Sequence, residues 1–295
     1  MSVPVSDISG TVVVTAGRFS PRRLLAGDWT RPVGGLLVLA LIICAIGGDA
    51  LAPYSPFKMA LGIRFSNPSW AHWLGTDQLG RDILSRMIVG ARFALFLGLS
   101  ATGISVIGGV LLGLIAGFGP RWLDAMLLVI FDTTYSFPVV MLALAVITLL
   151  GPDLGTVLLI IVIVTIPRYA RLIRTSTQSI RVAEFIVAER SLGARPARIL
   201  LRHVLPNVIG PLLILASMDI PGVITLEAGL SFLGLGVPPP APSWGRMLSE
   251  GYNYIRDTPW IVVGGSLPLI LTTLGFTFLG EGLRDALDPR LRRGR

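Results

Sequence analysis

Long apolar runs separated by short charged segments dominate the chain, and six of them reach the length of about 20 residues that a membrane-crossing helix needs. The first, Val33 to Ala52, carries one charge, Asp49, near its end. Phe93 to Gly119 follows as 27 residues without a charge, long enough to cross with a tilt. From Thr133 to Pro167 only Asp153 interrupts the apolar pattern, and it falls in Gly-Pro-Asp-Leu-Gly (151–155), which is turn chemistry. Two helices joined by a tight loop are expected there, the first beginning near Trp122 and the second ending near Pro167. A fifth span is expected from about Val204 to Leu226, with Asp219 inside it, and a sixth from Thr258 to Gly280. The pattern predicts an all-α integral membrane protein with six transmembrane helices at 33–282, flanked by tails at 1–32 and 283–295.

Composition supports this picture, with 53% hydrophobic residues, 14% charged and a mean hydropathy of +0.75, where soluble domains carry about 25% charged residues. The net charge of +8 comes almost wholly from arginine, Lys58 being the only lysine. A nucleic-acid-binding protein can share that charge, but not this density of apolar windows in water. Membrane lipid is the expected surrounding, and no nucleic acid is expected as a partner.

Charge also orients the chain. Six spans put both termini on one side, together with 120–122 and 168–203. That set holds eighteen arginines, against Lys58 and six arginines at 53–92 and 233–257. The arginine-rich side is expected to be cytoplasmic, so both termini and the 168–203 loop are placed there. Basic residues, an apolar run and Ala50-Leu51-Ala52 also resemble a secretory signal. The basic region before that run is about 31 residues, longer than such signals, so the first helix is expected to be retained.

Little covalent chemistry is available. Cys44 stands alone in an apolar run, and His72 and His203 have no metal-ligand spacing around them, so no metal site is expected. A phosphate-binding G-x-x-x-x-G-K-[ST] loop needs a lysine followed by Ser or Thr, and Lys58 is followed by Met59. No catalytic residue and no cofactor bound by this chain are expected.

The 168–203 loop is the most informative. Arg168, Arg171 and Arg174 leave the fourth span at helical spacing and are expected at the membrane interface. Glu184 to Leu192 reads as a short helix ended by Gly193, and Pro196 opens a second short helix that runs to Pro206. Phe185, Ala188 and Leu192 form one stripe on the first. A helix this short cannot bury its own stripe, which must meet lipid or a partner's groove.

Val187-Ala188-Glu189, then Gly193, then Leu205-Pro206-Asn207 resemble the cytoplasmic loop signature of the membrane subunits of ATP-driven (ABC) importers, with Val187 where that signature has an acidic residue. HWLGTDQLGRDILSRMIVGARFALFLGLSA (72–101), EAGLSFLGLGVPPPAPSWGRML (227–248) and LRDALDPR (283–290) are similar to the dipeptide, oligopeptide and nickel permeases, and to their "C"-type subunit in particular. The resemblance implies a type I importer permease fold in the bacterial plasma (inner) membrane, importing dipeptides or oligopeptides, or else nickel, glutathione or another small solute. It implies a homologous sister permease, two cytoplasmic ATPase subunits that hold ATP and magnesium, and an extracellular or periplasmic substrate-binding protein. Glu184, Phe185, Val187, Ala188, Glu189, Leu192 and Gly193 would then form a coupling helix seated on an ATPase.

Outside that loop, Asp77, Arg81, Asp82, Arg86 and Arg92 alternate in sign at near i,i+4 spacing. They read as a surface helix, either merely solvated or a dock for the substrate receptor through Asp77, Arg81 and Asp82. Ser105, Gly109, Gly113 and Gly117 recur every four residues and allow close helix approach, within this chain or against a partner. Asp132 and Asp219 cost about 2.5–3.5 kcal/mol each at mid-bilayer on insertion scales, so they should face protein or water. With Tyr135 they suit a solute path for the amino end of a peptide, or they accept hydrogen bonds between helices. An ion-coupled transporter is a rival reading, but the two halves show no internal repeat.

Overall fold

A chain surrounded by lipid has no water to satisfy its backbone, so each crossing segment closes its hydrogen bonds on itself as a helix. The computed structural model describes residues 29–287, and every regular element among them is helical. The tails expected at 1–32 and 283–295 lie outside the described residues except for 29–32 and 283–287. In chain order come α1 (Thr30–Leu51), α2 (Ile83–Phe118), α3 (Arg121–Ser136), α4 (Val139–Leu150), α5 (Leu154–Arg181), α6 (Glu184–Ser191) and α7 (Pro196–Ile199). A π-helical turn at Leu200–Val204, α8 (Leu205–Phe232), α9 (Trp244–Asn253) and α10 (Trp260–Leu287) complete the chain.

Among the described residues five helices are long and apolar enough to cross a membrane, and α3 with α4 makes a sixth crossing only as a broken one, bent by 94°. The sequence predicted one span there, with Pro138 able to loosen it. Pro138 accounts for the break: it has no N–H to give, and it holds Phe137 in extended backbone (φ −85°, ψ 127°). The tight turn at 151–155 forms as expected, with the Asp153 carboxylate accepting from the Gly155 N–H at 2.8 Å to cap α5.

Three other boundaries differ from expectation. The second span starts at Ile83, capped by Asp82, so no separate surface helix exists over 77–92; residues 77–82 form a turn and the rest is the start of α2. The second short helix of the 168–203 loop is not separate either, because α7 continues through the π turn into α8 as one apolar helix from Pro196 to Phe232. Helix α9, unforeseen in the proline-rich 233–257 loop, seals one end of the bundle. Its Trp244 is buried and donates from Nε1 to the Met87 carbonyl at 2.9 Å. Gly90 makes room, since a Cβ there would lie 2.6 Å from that indole nitrogen.

The small-residue row on α2 packs inside this chain. A Cβ on Gly109 would sit 2.3 Å from Tyr169 Cβ, one on Gly113 2.6 Å from the Ala170 carbonyl, and one on Gly117 2.6 Å from Thr177 Cβ. The α2–α5 seam is therefore closely packed along a little over two turns, and it leads α5 straight to the loop that carries α6. Around it lies a core cluster of Leu114, Tyr169, Ile173, Ile186, Ile199, Val204, Val208 and Leu212. A second cluster joins α1, α2, α8, α9 and α10 through Val38, Ile83, Ile224, Trp244, Met247 and Ile261.

Candidate functional site

Helix α6 is short because its sequence both starts and stops it. Gly193 has φ +80°, donating to the Arg190 carbonyl at 2.9 Å while Ala194 reaches back to Glu189 at 3.0 Å, which ends the helix in a left-handed turn. Ile186 is fully buried in the core cluster and pins the helix to the bundle. That anchor is a residue the sequence pattern missed, since it falls between the stripe positions. Phe185 and Leu192 point away, 48% and 85% exposed, with Val187 and Ala188 exposed beside them. Glu189 reaches His203 of the π turn at 3.5 Å, and the Phe185 and His203 rings stand 6.2 Å apart. Arg190 and Arg181 both lie over the Phe118 ring, at 5.0 and 5.7 Å. Glu184 is exposed in the first turn, where its charge favours the positive end of the helix.

A second feature runs along α5. Arg168, Arg171 and Arg174, one turn apart, each meet an aspartate from another helix. Arg168 pairs with Asp219 of α8 at 2.6 Å, and Arg171 with Asp132 of α3 at 2.6 Å. Arg174 holds Asp124 of α3 through two contacts of 2.5 and 2.8 Å, joined by Gln178 at 3.3 Å. The sequence placed these arginines at the interface as orienting charges and overlooked Asp124. The available signal was the spacing: Asp124 and Asp132 are eight residues, about two helical turns, apart and so share one face of α3.

The Arg168–Asp219 pair borders an open cleft of about 310 Å³ between α3, α4, α5 and α8. Thr134, Tyr135, Thr165, Arg168 and Asp219 supply its polar lining, and Val164, Val223 and Leu226 part of its apolar lining. Asp219 and Tyr135 are thus brought together. Asp132 does not line the cleft; it is mostly exposed and paired with Arg171, whose guanidinium stacks on Tyr135 at 4.8 Å. Asp219 is buried, and its Oδ2 has no hydrogen-bond partner.

At the other end of the bundle, Asp77, Arg81 and Asp82 lie inside rather than on the surface. Asp77 accepts from the Leu79 and Arg81 backbone N–H groups at 2.8 and 2.9 Å, from Arg81 Nε at 2.6 Å and from Arg86 at 2.6 Å. Glu250 of α9 completes the group, 2.8 Å from Arg86, 3.3 Å from Arg81 and 3.2 Å from Arg246. Burial alone would push the Glu250 carboxyl up, but the Arg86 charge and hydrogen bond, with Gln78 and Arg81, hold it below its ordinary value. Asp82 caps α2 through the Ser85 N–H at 2.8 Å and takes His72 Nδ1 at 2.9 Å. The surface-helix reading is corrected on this point: all three side chains are buried, and they tie the 52–82 loop to α9.

Comparison with known proteins adds a consistent result. Residues 109–293 match the family described as binding-protein-dependent transport system inner membrane component. The chain is 40% identical over 260 residues to a dipeptide transport system permease protein of Alkalihalophilus pseudofirmus, covering 88% of this chain and 86% of the relative. A di/tripeptide transport system permease protein of Pseudomonas aeruginosa is 40% identical over 267 residues, 88% of each chain. A glutathione transport system permease protein of Pectobacterium atrosepticum is also 40% identical, over 259 residues, 88% of this chain and 86% of the relative.

Proposed function

This chain belongs to the family of binding-protein-dependent transport system inner membrane components, and from that premise we propose that it forms half of the pathway of an ATP-driven peptide importer. It is a multi-pass membrane protein of the peptide-permease type. In this reading a homologous sister permease supplies the other half of the pathway, and two ATPase subunits, holding ATP and magnesium, bind beneath it. A substrate-binding protein delivers solute from above. The membrane is a bacterial plasma membrane, with the termini and α6 on the cytoplasmic face, where the excess arginine favours them.

The observation that carries the reading is α6. Phe185 and Leu192 stand exposed on a helix that Ile186 fixes to the core, outside the crossing segments. Burying each such side chain contributes about 1.5–3 kcal/mol, so a groove on an ATPase gains affinity from this face at no cost in ordering the helix. ATP-driven closure of the ATPases then moves α6, and α5 and the π turn carry that motion to the crossing helices.

Dipeptides and short oligopeptides are the proposed cargo, in keeping with the relatives named for dipeptides and di/tripeptides. Glutathione, itself a small peptide, is the second reading, because a relative named for it is equally similar. The test is purification from native membranes in mild detergent, followed by mass spectrometry. A sister permease and ATPase chains should co-purify, and Leu192→Glu should release the ATPases while leaving the sister bound. Recovery of the chain alone, still able to transport, would overturn the proposal in favour of an ion-coupled carrier.

A further inference from the structure

The membrane-embedded cleft holds a charge arrangement that is unbalanced in one particular way. Asp219 is 5% exposed, and only its Oδ1 is engaged, by Arg168 at 2.6 Å; Oδ2 has no partner. The Tyr169 hydroxyl, next along α5 from Arg168, is buried beside the same carboxylate. Arg168, by contrast, is 55% exposed on its side chain. One member of the pair is buried inside the protein and the other is more than half exposed.

That asymmetry selects among ligands. An incoming ammonium can take the place of the guanidinium at Asp219 Oδ1 while Arg168 swings out into the cleft. An incoming carboxylate alone would draw Arg168 away and leave the Asp219 charge buried without compensation, which proteins tolerate poorly. A ligand carrying both charges can exchange with the whole pair, its ammonium replacing Arg168 at Asp219 and its carboxylate taking the released guanidinium. The cleft volume of about 310 Å³ is at the lower end for a small-ligand site, and Val164, Val223 and Leu226 offer apolar contact for one side chain.

We propose that Asp219, presented by Arg168, takes the α-ammonium of a peptide within the membrane domain, and that Arg168 passes to the same peptide's carboxylate. This rests on the peptide-import reading above and adds to it a selection for a free amine, made in the membrane and separate from any selection by a receptor. The free amine is the stricter requirement, because Asp219 is the buried partner.

The experiment is saturation-transfer difference NMR, which reads millimolar binding, on the assembled importer in nanodiscs without its receptor. The probes are the dipeptide Ala-Phe, its N-acetyl form and its C-terminal amide. The N-acetyl form should bind roughly 10-fold or more weakly than Ala-Phe, as befits loss of a charged hydrogen bond, and the amide should suffer less. Asp219→Asn should bring Ala-Phe and N-acetyl-Ala-Phe together, since no buried charge then needs an amine. Arg168→Lys should keep the penalty on the N-acetyl form and narrow the difference between Ala-Phe and the amide; it serves also if Asp219→Asn fails to assemble. Equal binding of the three probes by the wild type, no binding of any, an N-acetyl penalty that persists in Asp219→Asn, or an undiminished difference between Ala-Phe and the amide in Arg168→Lys would overturn the subsite. ATP-driven uptake of Ala-Phe is measured in parallel, and its absence from the wild type would remove the import function instead.

Discussion

Removing the Asp77 carboxylate should open the 52–82 loop and leave the rest of the bundle closed. The buried group is balanced as it stands, with Asp77 and Glu250 facing Arg81 and Arg86, both arginines under 10% exposed. Asp77→Ala leaves two buried guanidinium groups on one carboxylate and strips two backbone N–H groups, of Leu79 and Arg81, of their acceptor. Breaking a buried charge pair from one side costs about 3–5 kcal/mol, and Arg246 on Glu250 cannot help, being another cation. Taking about 4 kcal/mol and one decade per 1.4 kcal/mol, local opening of the loop should rise by roughly a thousand-fold. Hydrogen exchange by mass spectrometry reads this directly: peptides covering 72–86 should lose protection, while those covering 105–117 in the α2–α5 seam should not. Adding Arg86→Met, which restores charge balance, should recover part of the loss. Unchanged exchange over 72–86 in Asp77→Ala would refute the claim that this group holds the loop.

Two other outcomes follow from the same structure. Gly113→Val places branched carbon where a Cβ already meets the Ala170 carbonyl and Ile173 Cβ at 2.6 Å; overpacking of about 1–3 kcal/mol or more should appear as a lower thermal midpoint in detergent, with Gly103→Val, where a Cβ meets nothing within 4 Å, unaffected. Glu250 is held below its ordinary value of 4.5, so the unfolded loop binds the proton more readily than the folded one. Its contribution is present above about pH 4.5 and is lost as pH falls through the lower folded value, so exchange over 246–253, corrected for intrinsic rate, should be flat from pH 7 to 5 and accelerate only below about 4.5.

The crossing segments were legible because lipid imposes one rule along the whole chain, and apolar length reports it. The short helix before Gly193 was legible for a local reason, a left-handed stop. What the sequence hid was pairing between distant positions. Arg168 and Asp219 lie fifty-one residues apart, and nothing in either neighbourhood names the other; read alone, the arginine row suited an interface equally well. The alternating charges at 77–92 misled because i,i+4 spacing is shared by a surface helix and by a folded turn whose charges point inward. Burial of Trp244 on α9 was likewise beyond reach, since a proline-rich loop gives no period from which to read a helix face.

The unbroken helix from Pro196 to Phe232 has a mechanical consequence. At 1.5 Å per residue, the stretch beyond the π turn at Leu200–Val204 is a lever arm of about 42 Å. A tilt of about 10° at its root would sweep the tip through roughly 7 Å and Asp219, near mid-arm, through about half that. Pro211 and Pro221 are the points where the rod can yield. Small displacements at the root thus become ångström-scale travel at the cleft, and stiffness between Val204 and Asp219 sets how much of each stroke arrives.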